Sequence, residues 1–233
     1  MTQVAKTEPA VAVLIPALNC AATIGSVVSG ARRHVAEVLV VSDGSTDATI
    51  AAATAAGAVV IAHDQPRGKG AALLSGMRAL AERGVTRVLT MDGDGQHLAD
   101  EIPVLLGAAA STPQAVVIGA RNLESVPAAP INRFGNRFAN RWVEIACGQA
   151  IPDTQSGFRV YPLRETLALG VRARHFAFET EILIRAVRKR MSIHSVPVKV
   201  YYPPPEERTS HYRRVLDTVR IVLVVVGLIL RIW

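Results

Sequence analysis

Cysteine is scarce: Cys20 and Cys147 are the whole complement of a 233-residue chain. Neither a disulfide framework nor a CxxC metal or redox site can be built from two such distant residues, which points to a reducing compartment. Aromatic residues are few as well, at 5%. The many arginines come without interleaved aromatics or a nucleic-acid-binding module, so no nucleic-acid partner is expected. The N-terminal stretch MTQVAKTEPA lacks the charged-then-apolar layout of a signal peptide, and the apolar run after it is interrupted by Pro16 and Asn19; this predicts a cytoplasmic protein. Long hydrophobic runs are lacking too. The apolar run Ile221 to Leu230 is ten residues long and reaches about 15 Å, roughly half a bilayer core. Arg220, Arg231 and Trp233 flank it, a layout that suits a helix dipping into a membrane interface, with a buried C-terminal helix as the bland alternative. Begun at Val215, with Asp217 and Arg220 at the headgroups, the segment would reach across.

Half of the residues are hydrophobic, enough for one domain with a substantial core. The net charge of +7 is unevenly placed: residues 1–116 carry 8 Lys/Arg against 10 Asp/Glu, and residues 117–233 carry 18 against 9. The second half therefore faces something anionic, and nucleic acid, anionic lipid and phosphorylated substrate all fit the charge alone, with a solvated basic face that has no partner as the alternative.

Short β-branched runs recur at Val11 to Ile15, Val38 to Val41, Val59 to Ile61, Arg87 to Met91 and Ala115 to Ile118, with Ala-rich stretches of helical length between them. Each run ends in a turn cluster, the βαβ rhythm of a parallel sheet covered on both faces. Ligands then belong at the carboxyl ends of the strands. Ser45-Thr46-Asp47 is read as the cap of a helix through Ala56, ended by Gly57. Beyond residue 120 come an Arg-rich helical stretch (Asn132 to Cys147), a turn at Asp153 to Gly157, a helix around Glu179 to Arg190 and a strand through Ile193 to Val200. The predicted organisation is a catalytic domain over 1–202, a Pro-rich connecting loop over 203–212, and a membrane-associating helix over 213–233.

The sharpest chemical signal is Asp92-Gly93-Asp94-Gly95-Gln96-His97, directly after the fourth run. Two carboxylates and an amide at alternate positions suit Mg²⁺ or Mn²⁺, which keep coordination positions open for diphosphate oxygens. An EF-hand Ca²⁺ loop is excluded, because His97 replaces its turn glycine and Pro103 stands where its bidentate Glu belongs. A second turn, Ser42-Asp43-Gly44-Ser45, offers acceptors at a helix start. A third, Arg67-Gly68-Lys69-Gly70, places glycines and cations where a phosphate could come close. It is neither a P-loop nor a dinucleotide fingerprint, lacking the Lys-Ser/Thr pair of the one and, with Leu73, the third glycine of the other.

Together these turns resemble the family 2 glycosyltransferases of the GT-A fold, in particular the dolichyl-phosphate mannose synthase and polyprenyl-phosphate glycosyltransferase group. The likeness runs through Ile15-Pro16-Ala17-Leu18-Asn19, Ser42 to Ser45, Gly68-Lys69-Gly70, Asp92 to His97, Gly119-Ala120-Arg121 and Asp153 to Arg159. It implies an α/β fold, a GT-A (Rossmann-like), mostly parallel sheet flanked by helices, with a C-terminal apolar helix. It implies that Pro16, Ala17, Leu18, Asn19, Asp43, Ser45, Lys69, Asp92 and Gly93 bind the nucleotide-sugar, UDP- or GDP-linked. Asp92, Asp94 and Gln96 would hold Mg²⁺ or Mn²⁺, and Arg121, Arg133, Arg159 and Ser210 would receive an acceptor phosphate. Ser42 stands where the family usually has a second aspartate, and Cys20 where a glutamate commonly follows the asparagine.

The expected activity is inverting transfer of a sugar to a polyprenyl phosphate of the dolichyl or undecaprenyl type, with Asp94 and Arg121 catalytic. Such an acceptor is already anionic and needs no strong base; a hydroxylated lipid or metabolite would need one, and Asp153 is then the candidate. A non-catalytic nucleotide-sugar-binding subunit is the reading from another class. The expected partners are the donor, the lipid phosphate and the cytoplasmic face of a membrane, on which the enzyme would be peripheral or anchored, as a homo-oligomer or with a membrane partner subunit.

Overall fold

In a computed structural model, which describes residues 10–121, 143–202 and 214–230, the β-branched runs are strands. They are β1 (Val11–Ala17), β2 (Glu37–Asp43), β3 (Val59–His63), β4 (Arg87–Thr90) and β5 (Val116–Arg121), followed by β6 (Arg159–Pro162) and β7 (Ile193–Val198). The helices between them are α1 (Ala21–Arg32), α2 (Thr49–Ala55), α3 (Lys69–Glu82) and α4 (Ile102–Ser111). Three more follow: α5 (Leu163–Leu167), α6 (Phe178–Arg188) and α7 (Arg214–Ile229).

The seven strands form one sheet in the order β3-β2-β1-β4-β6-β5-β7. All neighbours are parallel except β6, which runs antiparallel to both β4 and β5. Because it is reversed, its first residue lies at the same edge as the last residues of the other strands. Chain order turns back between β1 and β4, and that switch point opens a crevice at the carboxyl edge of the sheet.

Alternation along each strand divides the core into two layers. Ala12 and Leu14 of β1 and Leu39 and Val41 of β2 face one side, with Met77 and Leu80 of α3 and Ile182 and Leu183 of α6. Val13, Ile15, Val38 and Val40 face the other, with Ile24 and Val28 of α1 and Ile102 and Leu105 of α4. Strands buried on both faces read as continuous apolar runs, which is why β1 and β2 stand out in the sequence.

The C-terminal helix α7 lies against the first of these layers. Ile221, Val224, Val225 and Leu228 are buried in it, each contributing about 1.5–3 kcal/mol by burial, and Arg188 Nη2 donates to the Leu228 carbonyl at 2.8 Å. Leu223 and Leu230 remain exposed. Among the described residues no helix is long and apolar enough to cross a membrane.

Candidate active site

The crevice is built by loops that tie one another in place. Asn19, at φ 46°, closes the turn after β1. Its N–H donates to Ser45 Oγ at 3.1 Å, and its side-chain oxygen accepts from the Thr46 N–H at 2.8 Å. Asp47 Oδ1 accepts from the Thr49 N–H at 3.0 Å and its Oδ2 from the Ala21 N–H at 3.1 Å. The predicted cap is therefore shared out. Helix α2 begins only at Thr49, with Asp47 serving its start and Ser45 serving the β1 loop instead.

Asp43, at the end of β2, is buried. Its Oδ1 accepts from the Arg67 N–H at 2.9 Å and its Oδ2 from the Gly68 N–H at 2.7 Å. His63 Nδ1 lies 2.7 Å from Asp43 Oδ1, with Nε2 3.0 Å from Ser75 Oγ; since a carboxylate only accepts, Nδ1 carries the proton. Asp43 thus fastens the turn that delivers Lys69.

Gly68 and Gly70 do a different job from the one their pattern suggests. Gly68 has φ 98°, and a Cβ there would meet the Arg174 carbonyl at 2.3 Å; one on Gly70 would meet the Ala173 carbonyl at 2.5 Å. The Ala71 N–H donates to Arg174 O at 3.0 Å. The start of α3 is therefore covered by the 173–175 chain, and the glycines admit that chain rather than a phosphate. What reaches the crevice is the Lys69 ammonium. It lies 2.6 Å from Asp92 Oδ1 and 2.8 Å from Glu179 Oε1, with the Phe176 ring 5.6 Å away. Burial works against the charge of Lys69, but the Asp92 and Glu179 carboxylates outweigh it and hold the amine protonated. Asp92 is correspondingly held below the usual carboxylate range: Lys69 overrides its burial.

Asp94 behaves in the opposite way. Burial, and then the negative charge of Asp92, push its carboxyl up to about 6; its Oδ1 accepts the Gln96 N–H at 3.0 Å. Asp94 is a half-buried carboxylate short of counter-charge, next to an Asp92 that, among the described residues, only Lys69 pairs; with the Gln96 amide the two would offer oxygen donors that fit a divalent cation. Among the described residues no three His, Cys, Asp or Glu side chains gather at a metal position. Gly93 is held between the loops: Thr23 Oγ1 donates to its carbonyl at 2.6 Å, and a Cβ there would stand 3.1 Å from Cys20 Sγ. His97 is buried and stacks on Phe158 at 4.9 Å. Burial pushes it down to about 4, so the neutral ring accepts the Asp92 N–H through Nδ1 at 3.1 Å.

The other wall comes from the end of β5 and the loop before β6. Arg121 donates from Nε to Asp153 Oδ2 at 2.6 Å and from Nη2 to Oδ1 at 2.7 Å; its N–H also reaches Oδ2, at 3.0 Å. Although burial opposes it, Asp153 keeps the guanidinium firmly charged. A carboxylate so engaged is poorly placed to act as a base. Arg159 does not join the crevice. It is fully buried, and its Nε, Nη1 and Nη2 donate to the carbonyls of Ser156, Glu179 and Thr154 at 2.7, 2.9 and 2.7 Å. Its three nitrogens are taken up by the 154–156 loop and by α6, so it shapes that wall instead of presenting itself to an acceptor. Arg133 and Ser210 lie outside the described residues.

Pro16 to Asn19, Asp43, Ser45, Lys69, Asp92 to Gln96 and Arg121 with Asp153 therefore gather at one edge of the sheet. Glu179 and His63 belong with them and were not singled out from the sequence, and His97, quoted in the motif, was given no role of its own there. Glu179 could have been suspected only as an acid in a stretch that is otherwise buried.

The glycosyl transferase family 2 profile matches residues 12–166, from the first strand to beyond the reversed one. The chain belongs to glycosyl transferase family 2. It is 34% identical over 217 residues to the glycosyltransferase AglJ of Haloferax volcanii, covering 92% of this chain and 69% of that one. It is 27% identical over 212 residues to the UDP-N-acetylglucosamine–dolichyl-phosphate N-acetylglucosaminyltransferase of Methanococcus voltae, covering 81% and 84%. The glucosyl-3-phosphoglycerate synthase of Mycobacterium tuberculosis, solved with Mn²⁺, UDP and phosphoglyceric acid, superposes on this transferase with a TM-score of 0.73 at 21% identity, covering 97% and 80%. That structural likeness establishes the GT-A fold. The transferase is thus an enzyme of glycosyl transfer, with the mostly parallel sheet that the motifs implied.

Proposed function

We propose that the transferase moves a sugar from a UDP- or GDP-sugar to a polyprenyl phosphate, with Mg²⁺ or Mn²⁺, at the cytoplasmic face of a membrane. The observation that carries this reading is the pairing of Asp92 with Asp94 beside the Lys69 ammonium at the sheet's switch point. Asp92, Asp94 and Gln96 would hold the ion, which when bound supplies Lewis-acid stabilisation of the departing nucleoside diphosphate. The β1 turn, Asp43 and Ser45 form the floor for the nucleoside. Lys69 adds a fixed positive charge on the diphosphate side.

An acceptor phosphate oxygen attacks the anomeric carbon in line. The bond to the diphosphate breaks with its electron pair going to the leaving group, and the configuration inverts. A phosphate is ionised before it attacks and needs orientation by cations such as Arg121 rather than a base. The engagement of Asp153 by Arg121 supports this over a hydroxyl acceptor. The name of the Methanococcus relative, a dolichyl-phosphate N-acetylglucosaminyltransferase, supports the lipid phosphate, and the exposed Leu223 of α7 and Leu230 just after it suit contact with an interface.

The test is to incubate the purified protein with Mg²⁺, polyprenyl phosphate and a panel of UDP- and GDP-sugars, reading lipid products by mass spectrometry. A sugar-phosphate lipid from one donor is the expected result. Free sugar without glycolipid would leave the donor half standing and remove the acceptor; donor binding with no turnover would remove the transfer and favour a binding subunit.

A further inference from the structure

Glu179 is a buried acid that the proposed chemistry does not use. It sits in the first turn of α6 and is 3% exposed. Its carboxylate has the ion pair with Lys69 at 2.8 Å, and among the described residues neither oxygen makes a hydrogen bond of good geometry. Its backbone is fixed independently, since the Glu179 carbonyl accepts from Arg159 Nη1 at 2.9 Å. A buried carboxylate with so little hydrogen bonding is costly unless its charge is needed where it stands.

The charge count shows where it is needed. One ammonium is shared between two carboxylates, Asp92 Oδ1 at 2.6 Å and Glu179 Oε1 at 2.8 Å, so the trio carries one net negative charge. Without Glu179 the trio would be neutral, and Lys69 would answer to Asp92 alone. The ammonium would then compete directly with any divalent cation for that carboxylate. Gly157 lies directly over the Asp92–Lys69 pair: a Cβ there would stand 2.9 Å from both Asp92 Oδ2 and Lys69 Nζ, so a side chain at that position would press on the pair.

We propose that Glu179 is a positioning residue for metal loading: it draws the Lys69 ammonium partly off Asp92 and thereby leaves that carboxylate able to hold a divalent cation. The inference rests on the proposed metal role of Asp92 and Asp94. Glu179 touches neither the ion nor the substrates, and its effect passes through Lys69.

The experiment is Mn²⁺ binding by the full chain without donor or acceptor, read as loss of the free-Mn²⁺ electron paramagnetic resonance signal. Wild type, E179Q and K69M/E179Q are compared. E179Q is expected to weaken Mn²⁺ binding about tenfold, by removing one nearby charge and sharpening the competition. K69M/E179Q restores the trio's single negative charge and removes the competitor, and is expected to bind within about threefold of wild type. E179Q binding Mn²⁺ as wild type does overturns the proposal. So does a double variant as weak as E179Q, which would show that Glu179 does not act through Lys69. If E179Q does not fold, the double variant, which leaves no buried charge of the pair unmatched, carries the test alone: tenfold weaker binding than wild type overturns the proposal. Absence of Mn²⁺ binding by wild type would instead strike at the metal reading itself.

Discussion

Arg121 holds Asp153 by both carboxylate oxygens and by its own backbone N–H, joining the end of β5 to the loop that enters β6. Asp153 is left almost wholly enclosed, its side chain 2% exposed. Replacing it by Asn keeps the shape but leaves a mostly buried guanidinium without its counter-charge. D153N is expected to lose about 3–5 kcal/mol of stability, as breaking a buried pair does, measured by urea denaturation. Were Asp153 the catalytic base for a hydroxyl acceptor, D153N would instead abolish turnover at near-normal stability.

Asp94 gives the reverse pattern. Its carboxyl is pushed up by burial and by the charge of Asp92, so D94N relieves a repulsion. Its thermal midpoint should equal or exceed that of wild type, while sugar transfer falls by at least about a hundredfold at saturating Mg²⁺ or Mn²⁺. Near-normal turnover would count decisively against the proposed metal site.

Cys20 answers to pH. Burial foremost raises its thiol from 9.0 to about 11, against the opposing hydrogen bond with Thr49. Cys147 is likewise raised to about 11 by burial. At pH 8 the thiolate fraction, and with it the rate of iodoacetamide labelling, should be about a hundredfold lower in the folded protein than after unfolding. The sign for stability follows from the same shift. The fold favours the protonated thiol, so this contribution is complete below pH 9 and is lost as the pH climbs toward 11. Fast labelling of Cys20 itself in native protein at pH 8, located by peptide mass spectrometry, would contradict its buried placement.

The two faces of α7 can be told apart. Leu223 and Leu230 are exposed, both at 61%, so L223E and L230E should leave the thermal midpoint within the small range of surface changes. Binding to vesicles of anionic phospholipid should weaken, because a charge is then forced against the bilayer interface. V225A, on the buried face, should do the opposite: it is expected to lower stability by about 1–2 kcal/mol with little change in vesicle binding. Equal vesicle binding by all three variants would remove α7 from any membrane role.

The donor half of the molecule was plain in the sequence for a physical reason. Val11 to Ile15 and Val38 to Val41 are buried on both faces, so their apolar runs are unbroken, and parallel strands must end in loops on one edge. Asp43 and Asp92 could thus be placed together before any coordinates. The second half was less legible. Arg159 looked like an acceptor cation because an arginine in a turn motif carries no sign of whether its guanidinium turns inward; only the carbonyls of Thr154, Ser156 and Glu179 decide that. Gly68 and Gly70 looked like a phosphate approach, since glycine that admits a ligand and glycine that admits another stretch of chain have the same spelling. Nor could Glu179 be paired with Lys69, because the two belong to separate helices that meet only once the sheet has formed.

The reversal of β6 has a consequence for how such a protein can diversify. The loop before β6 reaches the crevice at the same edge as the loops of β1, β2 and β4, and it is fastened to the strands on either side: Ser156 Oγ donates to the Gly119 carbonyl at 2.7 Å and Thr90 Oγ1 to that of Gly157 at 2.8 Å. The wall that would meet the acceptor is therefore joined to the donor side, by Gly157 over Asp92 and Lys69 and by Phe158 on the His97 ring. Editing that segment to suit a new recipient would be felt at once by the carboxylates on the other side of the crevice, so the two halves of the site are bound to vary together.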